Sequence, residues 1–198
     1  MKKEQMKIAI IDYGAGNIQS IKFAIKRLGY EAILTKNIET IRGADKVIFP
    51  GVGEASSAMM KLIDSGLHTL IPSLTQPVLG ICLGMQLMCK FSEEGKTQGL
   101  GIFEVDVVRF PGTLKVPQIG WNTINQLQTP LFSEIAENEY MYLVHSFYAA
   151  LCPSTIATVT YGFPYSAALQ VDNFYGVQFH PEKSSDAGIQ LLSNFLKL

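Results

Sequence analysis

The sequence is poor in cysteine and histidine, with three of each among 198 residues. The cysteines, Cys82, Cys89 and Cys152, form no CxxC pair, and no histidine stands near them at the spacing of zinc ligands. An odd number of cysteines without a pairing pattern indicates reduced thiols. We therefore expect neither a disulfide scaffold nor a metal site.

Charge of one sign is also scarce, because 16 basic residues against 17 acidic ones leave a formal net charge of -1. This balance provides no basic stripe for nucleic acid and no polybasic segment for a membrane surface. No apolar run approaches the roughly 20 residues of a spanning helix. Two lysines within Met1 to Gln5 precede the run Ile8 to Ile11, but Asp12 ends that run too early for a signal peptide. We expect a cytoplasmic protein of one domain, residues 1–198, with no nucleic-acid partner and no membrane segment.

The hydrophobic pattern predicts an α/β fold with a central, mostly parallel sheet flanked by helices. Apolar runs alternate with amphipathic stretches through the first half, which is typical of βαβ units. The predicted strands there are Lys7 to Ile11, Glu31 to Leu34, Lys46 to Phe49 and Pro77 to Ile81, and the predicted helices are Ile18 to Leu28, Ala55 to Ile63 and Leu83 to about Lys90. Short β-branched and aromatic runs in the second half, among them a continuous run from Tyr140 to Ala149, predict extra antiparallel strands, and Asp186 to Leu198 predicts a closing helix.

A thiol between two glycines is the strongest chemical signal in the chain. Gly80-Ile81-Cys82-Leu83-Gly84 lies where a predicted strand meets a predicted helix, in the layout of a nucleophile elbow. Side chains at the flanking positions would collide in so tight a turn, and a helix start favours a thiolate. The N–H of Leu83 is then placed to face an oxyanion. For Cys89 and Cys152 we expect ordinary buried thiols.

A cysteine nucleophile needs a base, and His180 is the best candidate. The run Tyr175 to Phe179 delivers it to a strand end, and Glu182 follows two residues later. In an extended chain these two side chains point the same way, so Glu182 can orient the imidazole toward Cys82. His145 lies within an apolar run and is expected to be a satisfied core histidine. The loop Pro50 to Gly53 offers backbone N–H groups that could turn toward an oxyanion.

The segment Asp12-Tyr13-Gly14-Ala15-Gly16-Asn17 also follows a strand and precedes a helix. A dinucleotide fingerprint requires a third glycine at position 19, where the chain has Gln19. We therefore expect no nicotinamide cofactor, and no cofactor of any other kind.

Two motifs resemble those of the class I, or triad, glutamine amidotransferases, and the resemblance extends from Lys7 to the end of the chain. They are Gly-Ile-Cys-Leu-Gly-Met-Gln at 80–86 and Gly-Val-Gln-Phe-His-Pro-Glu-Lys-Ser at 176–184. The stretches at 11–17, 49–53 and 120–122 are similar to those of a subfamily, the glutaminase subunits of imidazole glycerol phosphate synthases. The resemblance implies a flavodoxin-like amidotransferase fold.

The resemblance also implies a set of roles. Cys82 attacks the amide of glutamine, His180 transfers the proton and Glu182 orients His180, while Val52 and Leu83 supply oxyanion N–H groups. Gly53, Gln86 and Ser146 line the glutamine pocket. The ammonia passes to a cyclase subunit, which is a (β/α)₈ barrel and forms a heterodimer with this chain. The Pro50 to Gly53 loop is expected to be misoriented until the liganded cyclase binds.

Residues of the expected partner interface are Gln118, Trp121 and Tyr142. Trp121 and Tyr142 would help to close the ammonia route, although ordinary aromatic packing explains Tyr142 equally well. Gln118 departs from the subfamily, which most often has histidine there, and the segment Lys115 to Trp121 is expected to be a loop that faces the partner.

Three other functions remain open from the sequence. A paralogous amidotransferase subunit could feed ammonia to another acceptor, as in amidino-sugar synthesis. A stand-alone γ-glutamyl cysteine hydrolase would use the same triad without a partner. A binding module of the same fold would lack activity, but intact Cys82, His180 and Glu182 argue against it.

Overall fold

The computed structural model describes residues 6–14 and 16–198. The interpretation of the lysines within Met1 to Gln5 falls outside the described residues, as does Ala15 of the glycine-containing loop. The single domain of 1–198 includes these positions and stays a prediction. None of the helices in the described part of the chain is long and apolar enough to cross a bilayer.

Thirteen strands and six α-helices are defined among these residues. The strands are β1 (Ile8–Ile11), β2 (Ala32–Thr35), β3 (Lys46–Gly51), β4 (Val78–Cys82), β5 (Cys89–Ser92), β6 (Thr97–Gln98), β7 (Phe103–Arg109), β8 (Gln118–Asn125), β9 (Glu139–His145), β10 (Phe147–Ala149), β11 (Thr155–Tyr161), β12 (Phe163–Val171) and β13 (Phe174–Val177). The helices are α1 (Ile18–Arg27), α2 (Ile38–Arg42), α3 (Ala55–Asp64), α4 (Leu67–Leu70), α5 (Leu83–Met88) and α6 (Ser185–Lys197).

Nine strands form one large sheet in the order β2-β1-β3-β4-β13-β12-β11-β8-β9. Pairing is parallel from β2 to β13 and antiparallel from β13 to β9. The predicted α/β class and the extra antiparallel strands are confirmed, and the sheet is evenly mixed rather than mostly parallel. A second sheet, in the order β10-β7-β5-β6, lies beside it.

The inner parallel strands β1, β3, β4 and β13 are buried along their whole length, whereas the edge strand β2 is only partly buried. Burial on both faces explains the apolar runs of the inner strands. In β1, Ile8 and Ile10 belong to the core shared with α1 and α6. Ala9 and Ile11 belong to the opposite core, which includes α3, α4 and α5. Alternate side chains of a strand point to opposite faces, so a single short run serves both layers.

The carboxyl ends of three neighbouring parallel strands meet at one edge of the sheet. Gly51 at the end of β3 pairs with Cys82 at the end of β4, and Val177 at the end of β13 pairs with Ile81. The segments that follow these strands are therefore brought together, as is usual for sites in open α/β sheets.

The structure corrects three boundaries and adds two short helices. The predicted loop Lys115 to Trp121 is a strand from Gln118 onward, because β8 pairs with β9 along its length. The predicted continuous run Tyr140 to Ala149 is interrupted at Ser146, and its two parts join different sheets. Helix α5 ends at Met88, so Cys89 begins β5. The short helices α2 and α4 were not predicted.

Candidate active site

Cys82 occupies a strained turn between β4 and α5. Its backbone has φ 54° and ψ -111°, a combination that residues with a side chain rarely adopt. A Cβ at Gly80 would collide with Met88 and Met85, and a Cβ at Gly84 would collide with the carbonyl oxygen of Phe49. The steric prediction for the two glycines is confirmed.

His180 and Glu182 form a buried pair behind the thiol. Nδ1 of His180 lies 2.9 Å from Oε1 of Glu182, and both side chains are almost completely enclosed. Burial alone would lower the pKa of His180, but the neighbouring sulfur of Cys82 and the Glu182 carboxylate outweigh it and raise the pKa above its ordinary value. The predicted pair is therefore formed, although Pro181 to Lys183 make a 3₁₀ turn where we expected extended chain.

Backbone contacts from β9 hold this turn in place. The N–H of His180 donates to the carbonyl of Tyr142 at 2.9 Å. The hydroxyl of Ser184 donates to the carbonyl of His180 at 2.6 Å and accepts the N–H of Tyr142 at 3.0 Å. Nε2 of His180 is buried and has no hydrogen-bond partner among the described residues, so this nitrogen is left for the thiol or a substrate.

A cavity of about 330 Å³ opens above the thiol and the imidazole. Its walls include every residue that was assigned to the nucleophile, the base, the oxyanion site or the glutamine pocket. These are Val52, Gly53, Cys82, Leu83, Gln86, Ser146 and His180. Glu182 does not line the cavity and contacts it only through His180. The structure thus brings together residues that are up to 128 positions apart, from Val52 to His180.

Two charged side chains of the cavity were missed by the sequence reasoning. Glu94, which is half-buried in the turn before β6, lines the wall, and burial raises the pKa of its carboxyl. Lys183 also lines the cavity, and its Nζ lies 5.7 Å from the centre of the Tyr142 ring. Lys183 directly follows Glu182 in the motif at 176–184, and its position there is the signal that could have found it. Glu94 belongs to no pattern that marks it.

The loop Pro50 to Gly53 is fixed more firmly at its start than at its end. The hydroxyl of Tyr13 donates to the carbonyl of Pro50 at 2.9 Å, and burial raises the pKa of this phenol, so it stays a donor. Val52 is exposed. Gly53 has φ 101°, and a Cβ there would meet nothing within 4 Å. Because Gly53 is a glycine in a left-handed conformation with open space around it, the peptide group between Val52 and Gly53 is able to rotate.

His145 is a satisfied core histidine, as expected. Its Nδ1 lies 2.7 Å from the carbonyl of Phe147, and its Nε2 lies 3.0 Å from the hydroxyl of Tyr165. Burial is the largest effect on the ring and lowers its pKa to about 4. The imidazole is therefore neutral at pH 7, and the carbonyl of Phe147 requires that Nδ1 carries the proton.

The prediction that Gln118 contacts a partner is wrong for its side chain. Gln118 is only 4% exposed, and its side-chain amide lies 2.7 Å from the hydroxyl of Tyr165. Because Gln118 alternates with its exposed neighbour Ile119 along β8, its side chain points into the protein.

Trp121 and Tyr142 are cross-strand neighbours on β8 and β9 and pack edge to face, with ring centres 6.0 Å apart. Trp121 is 52% exposed. Lys183 connects this pair to the cavity. The pair is thus an accessible aromatic surface beside the site, as an interface requires, and its contact with a partner stays a prediction.

Comparisons with known proteins agree with one another. The sequence profile of the family "Glutamine amidotransferase class-I" matches residues 9–198. The chain is 54% identical to the imidazole glycerol phosphate synthase subunit HisH of Bacteroides fragilis over 98% of this chain and 100% of that protein. It is 50% identical to the protein of the same name from Pasteurella multocida over 96% and 97% of the two chains.

Solved structures of more distant sequence have the same fold. A putative GMP synthase subunit from Thermoplasma acidophilum superposes with a TM-score of 0.77 at 19% identity, covering 98% of this chain and 94% of that one. The structure of PurLQS from Thermotoga maritima superposes with a TM-score of 0.74 at 13% identity, covering 98% and 99%.

Proposed function

Because the chain belongs to the class I glutamine amidotransferase family, we propose that it is the glutaminase subunit of an imidazole glycerol phosphate synthase, acting in histidine biosynthesis in the cytoplasm. The observation that carries this proposal is the convergence of Cys82 and His180 on one cavity, with Glu182 behind His180. The identity of 54% and 50% to two subunits of that name supports the choice of this reaction within the family.

The positions of these groups support the following reaction. His180 accepts the proton of the Cys82 thiol on Nε2, and Sγ attacks the amide carbon of glutamine. The oxyanion is stabilised by the N–H groups of Leu83 and Val52. His180 returns the proton to the leaving nitrogen, so that ammonia departs and a γ-glutamyl thioester forms. Water, deprotonated by His180, then attacks the thioester, and glutamate is released with the thiol restored.

Recognition of glutamine requires groups that match an ammonium and a carboxylate. Glu94 provides a carboxylate on the cavity wall for the α-ammonium, and Lys183 provides a cation for the α-carboxylate or for a later step of ammonia transfer. Gln86, Ser146 and Gly53 line the remainder of the pocket. The Glu94 carboxyl is held beside the cavity by the N–H of Ala55, which donates to its Oε2 at 2.9 Å.

The partner in this proposal is the cyclase subunit, which is a (β/α)₈ barrel and forms a heterodimer with the chain. It docks on the surface that contains Trp121 and Tyr142 and receives the ammonia there. Rotation of the peptide between Val52 and Gly53 completes the oxyanion site when the liganded cyclase binds. Gln118 is buried, so its side chain is not among the partner contacts of this proposal.

Glutamate release from glutamine, measured for the chain alone and with the cyclase of the same organism, tests the proposal. We expect turnover to rise at least about 100-fold when the cyclase and its own ligand are both present. Equal turnover with and without the liganded cyclase would contradict the switch. Strong activity of the isolated chain on γ-glutamyl peptides would support the stand-alone hydrolase instead, and activation only by a different synthase would support a paralogous subunit.

A further inference from the structure

A line of buried amides leads from β10 to the sulfur of Cys82. Nε2 of Gln86 donates to the carbonyl of Phe147 at 2.9 Å and to Oε1 of Gln178 at 2.8 Å. Nε2 of Gln178 in turn donates to Sγ of Cys82 at 3.7 Å. Gln178 is completely buried, and it lies just beyond the end of β13, two residues before His180. Its backbone N–H donates to the carbonyl of Ala167 at 2.8 Å, which fixes its position.

The direction of these hydrogen bonds is determined by the backbone. The carbonyl of Phe147 can only accept, so Gln86 must turn its NH₂ group toward it. The second hydrogen of that NH₂ group meets Gln178, which must therefore present its Oε1. The NH₂ group of Gln178 is then left facing the sulfur. A reversed amide at either glutamine would set two donors or two acceptors against each other inside the protein.

Beside the imidazole of His180, the sulfur of Cys82 thus has one backbone acceptor and one amide donor. The phenols of Tyr13 and Tyr165 are the other titratable groups that interact with it. The carbonyl of Val144, 3.9 Å from Sγ, can accept a hydrogen bond from the protonated thiol but not from a thiolate. The N–H of Gln178 on the other side can be accepted by a thiolate, and a hydrogen bond to a charged group is stronger than one to a neutral group. The exposed fraction of Cys82 is only 6%, so water cannot easily replace this donor.

We infer that Gln178 is a positioning residue that stabilises the thiolate of Cys82 and aims its sulfur at the bound amide. Because Gln178 is also held by Gln86, a wall residue of the glutamine pocket, the same contact links the state of the pocket to the nucleophile. The inference deepens the proposed function and rests on it for the identity of the substrate. The stabilisation of the thiolate itself depends only on the contacts around Cys82.

Alkylation of Cys82 by iodoacetamide, followed against pH by peptide mass spectrometry on the full chain, tests the inference. Gln178→Met has a similar length and no N–H, and Gln178→Glu keeps an acceptor toward Gln86 but places a second acceptor toward the sulfur. We expect the midpoint of the alkylation profile to move up by about one pH unit in Gln178→Met, which is about tenfold slower reaction below the midpoint. The midpoint should move further in Gln178→Glu.

Gln170→Met is the matched control. Gln170 is half-buried on β12, and its Nε2 donates to the hydroxyl of Tyr175 at 3.2 Å, away from Cys82. The control should leave the alkylation midpoint unchanged. An unchanged midpoint in Gln178→Met, with the variant folded, would overturn the inference, because a purely structural role changes turnover and stability without changing the titration of the sulfur.

A measurement on the unmodified chain covers the case in which the variants do not fold. The side-chain amide resonance of Gln178 in ¹⁵N-labelled protein should shift with the same midpoint as the alkylation of Cys82, and an amide that does not respond to pH would also overturn the inference. Neither measurement uses glutamine. A shifted midpoint without glutaminase activity in the complex would therefore refute the proposed function and leave the role of Gln178 standing.

Discussion

Replacement of Glu182 by glutamine changes one charge with almost no change of shape. Oε1 of Glu182 lies 2.9 Å from Nδ1 of His180, and the side chain is fully enclosed, so solvent screens the interaction little. The second carboxylate oxygen, Oε2, is buried without a hydrogen-bond partner in the described part of the chain. In Glu182→Gln, one amide orientation keeps an acceptor at Nδ1 and places the NH₂ group where Oε2 was.

The loss can be estimated from this geometry. A hydrogen bond to a charged group is about twice as strong as a neutral one, so the imidazolium that forms when His180 takes the thiol proton loses about 1–2 kcal/mol. The step that forms it then slows by about 5- to 30-fold. The reversed amide orientation would put the proton of His180 on Nε2, which then cannot accept from the thiol, and losses of that type reach about 10⁴-fold. The pKa of His180, which Cys82 and Glu182 raise, should fall in the variant.

Steady-state glutamate release by the complex with the cyclase is the assay. We expect kcat of Glu182→Gln to fall at least about tenfold, while KM stays within about threefold because Glu182 does not line the cavity. Glu94→Gln is the matched control: the same chemical change on the cavity wall should mainly raise KM. Unchanged kcat in Glu182→Gln would refute the role of the carboxylate.

Three further predictions concern stability and the interface. Gly84→Ala should lower the free energy of unfolding by at least about 2 kcal/mol in urea denaturation, because the new Cβ collides with the carbonyl of Phe49. In the control Gly112→Ala a Cβ meets nothing within 4 Å, so the free energy of unfolding should change by less than about 1 kcal/mol. Equal effects of the two substitutions would count against the steric account. The pKa of His145 is lowered from 6.5 to about 4 in the folded protein. As the pH falls, the unfolded chain therefore binds this proton before the folded chain does. Between pH 6.5 and pH 4, His145 should lower the free energy of unfolding by about 3 kcal/mol. His145→Asn should lose that part of the acid dependence in urea denaturation, and an identical pH slope in the variant would contradict this. Trp121→Ala should weaken binding of the cyclase at least about tenfold in titration calorimetry, whereas Ile33→Ala, at an exposed position on the opposite edge strand, should not; equal affinities for both variants would exclude the aromatic surface as the interface.

Much of the site could be predicted because its signals are local. The turn at Cys82 requires small neighbours on both sides, so the two glycines at 80 and 84 mark it in the sequence. The pairing of His180 with Glu182 is predicted by one strand end and a spacing of two residues, although these residues lie in a 3₁₀ turn and not in extended chain. A turn that requires small residues is visible in the sequence. The inner parallel strands β1, β3 and β4 are likewise visible as apolar runs, because both of their faces are buried.

The remaining features depend on contacts between distant segments. The burial of Gln118 depends on the register in which β8 pairs with β9. A shift of that register by one residue would expose Gln118 and bury Ile119. The separation of β9 from β10 at Ser146 depends on two sheets that meet there. Glu94 reaches the cavity because its turn packs beside the start of α3, which no pattern near residue 94 indicates. Pairing register and packing of this kind are properties of the folded chain.

Trapping of the covalent intermediate tests the central claim most directly. The complex with the liganded cyclase is mixed with glutamine and quenched in acid within one turnover, and the Cys82 peptide is examined by mass spectrometry. We predict a γ-glutamyl group on Cys82, with no adduct on Cys89 or Cys152, and a loss of at least about 10³-fold in glutamate release in Cys82→Ala. Glutamate release that continues at the normal rate in Cys82→Ala, without any adduct on the unmodified chain, would contradict the account.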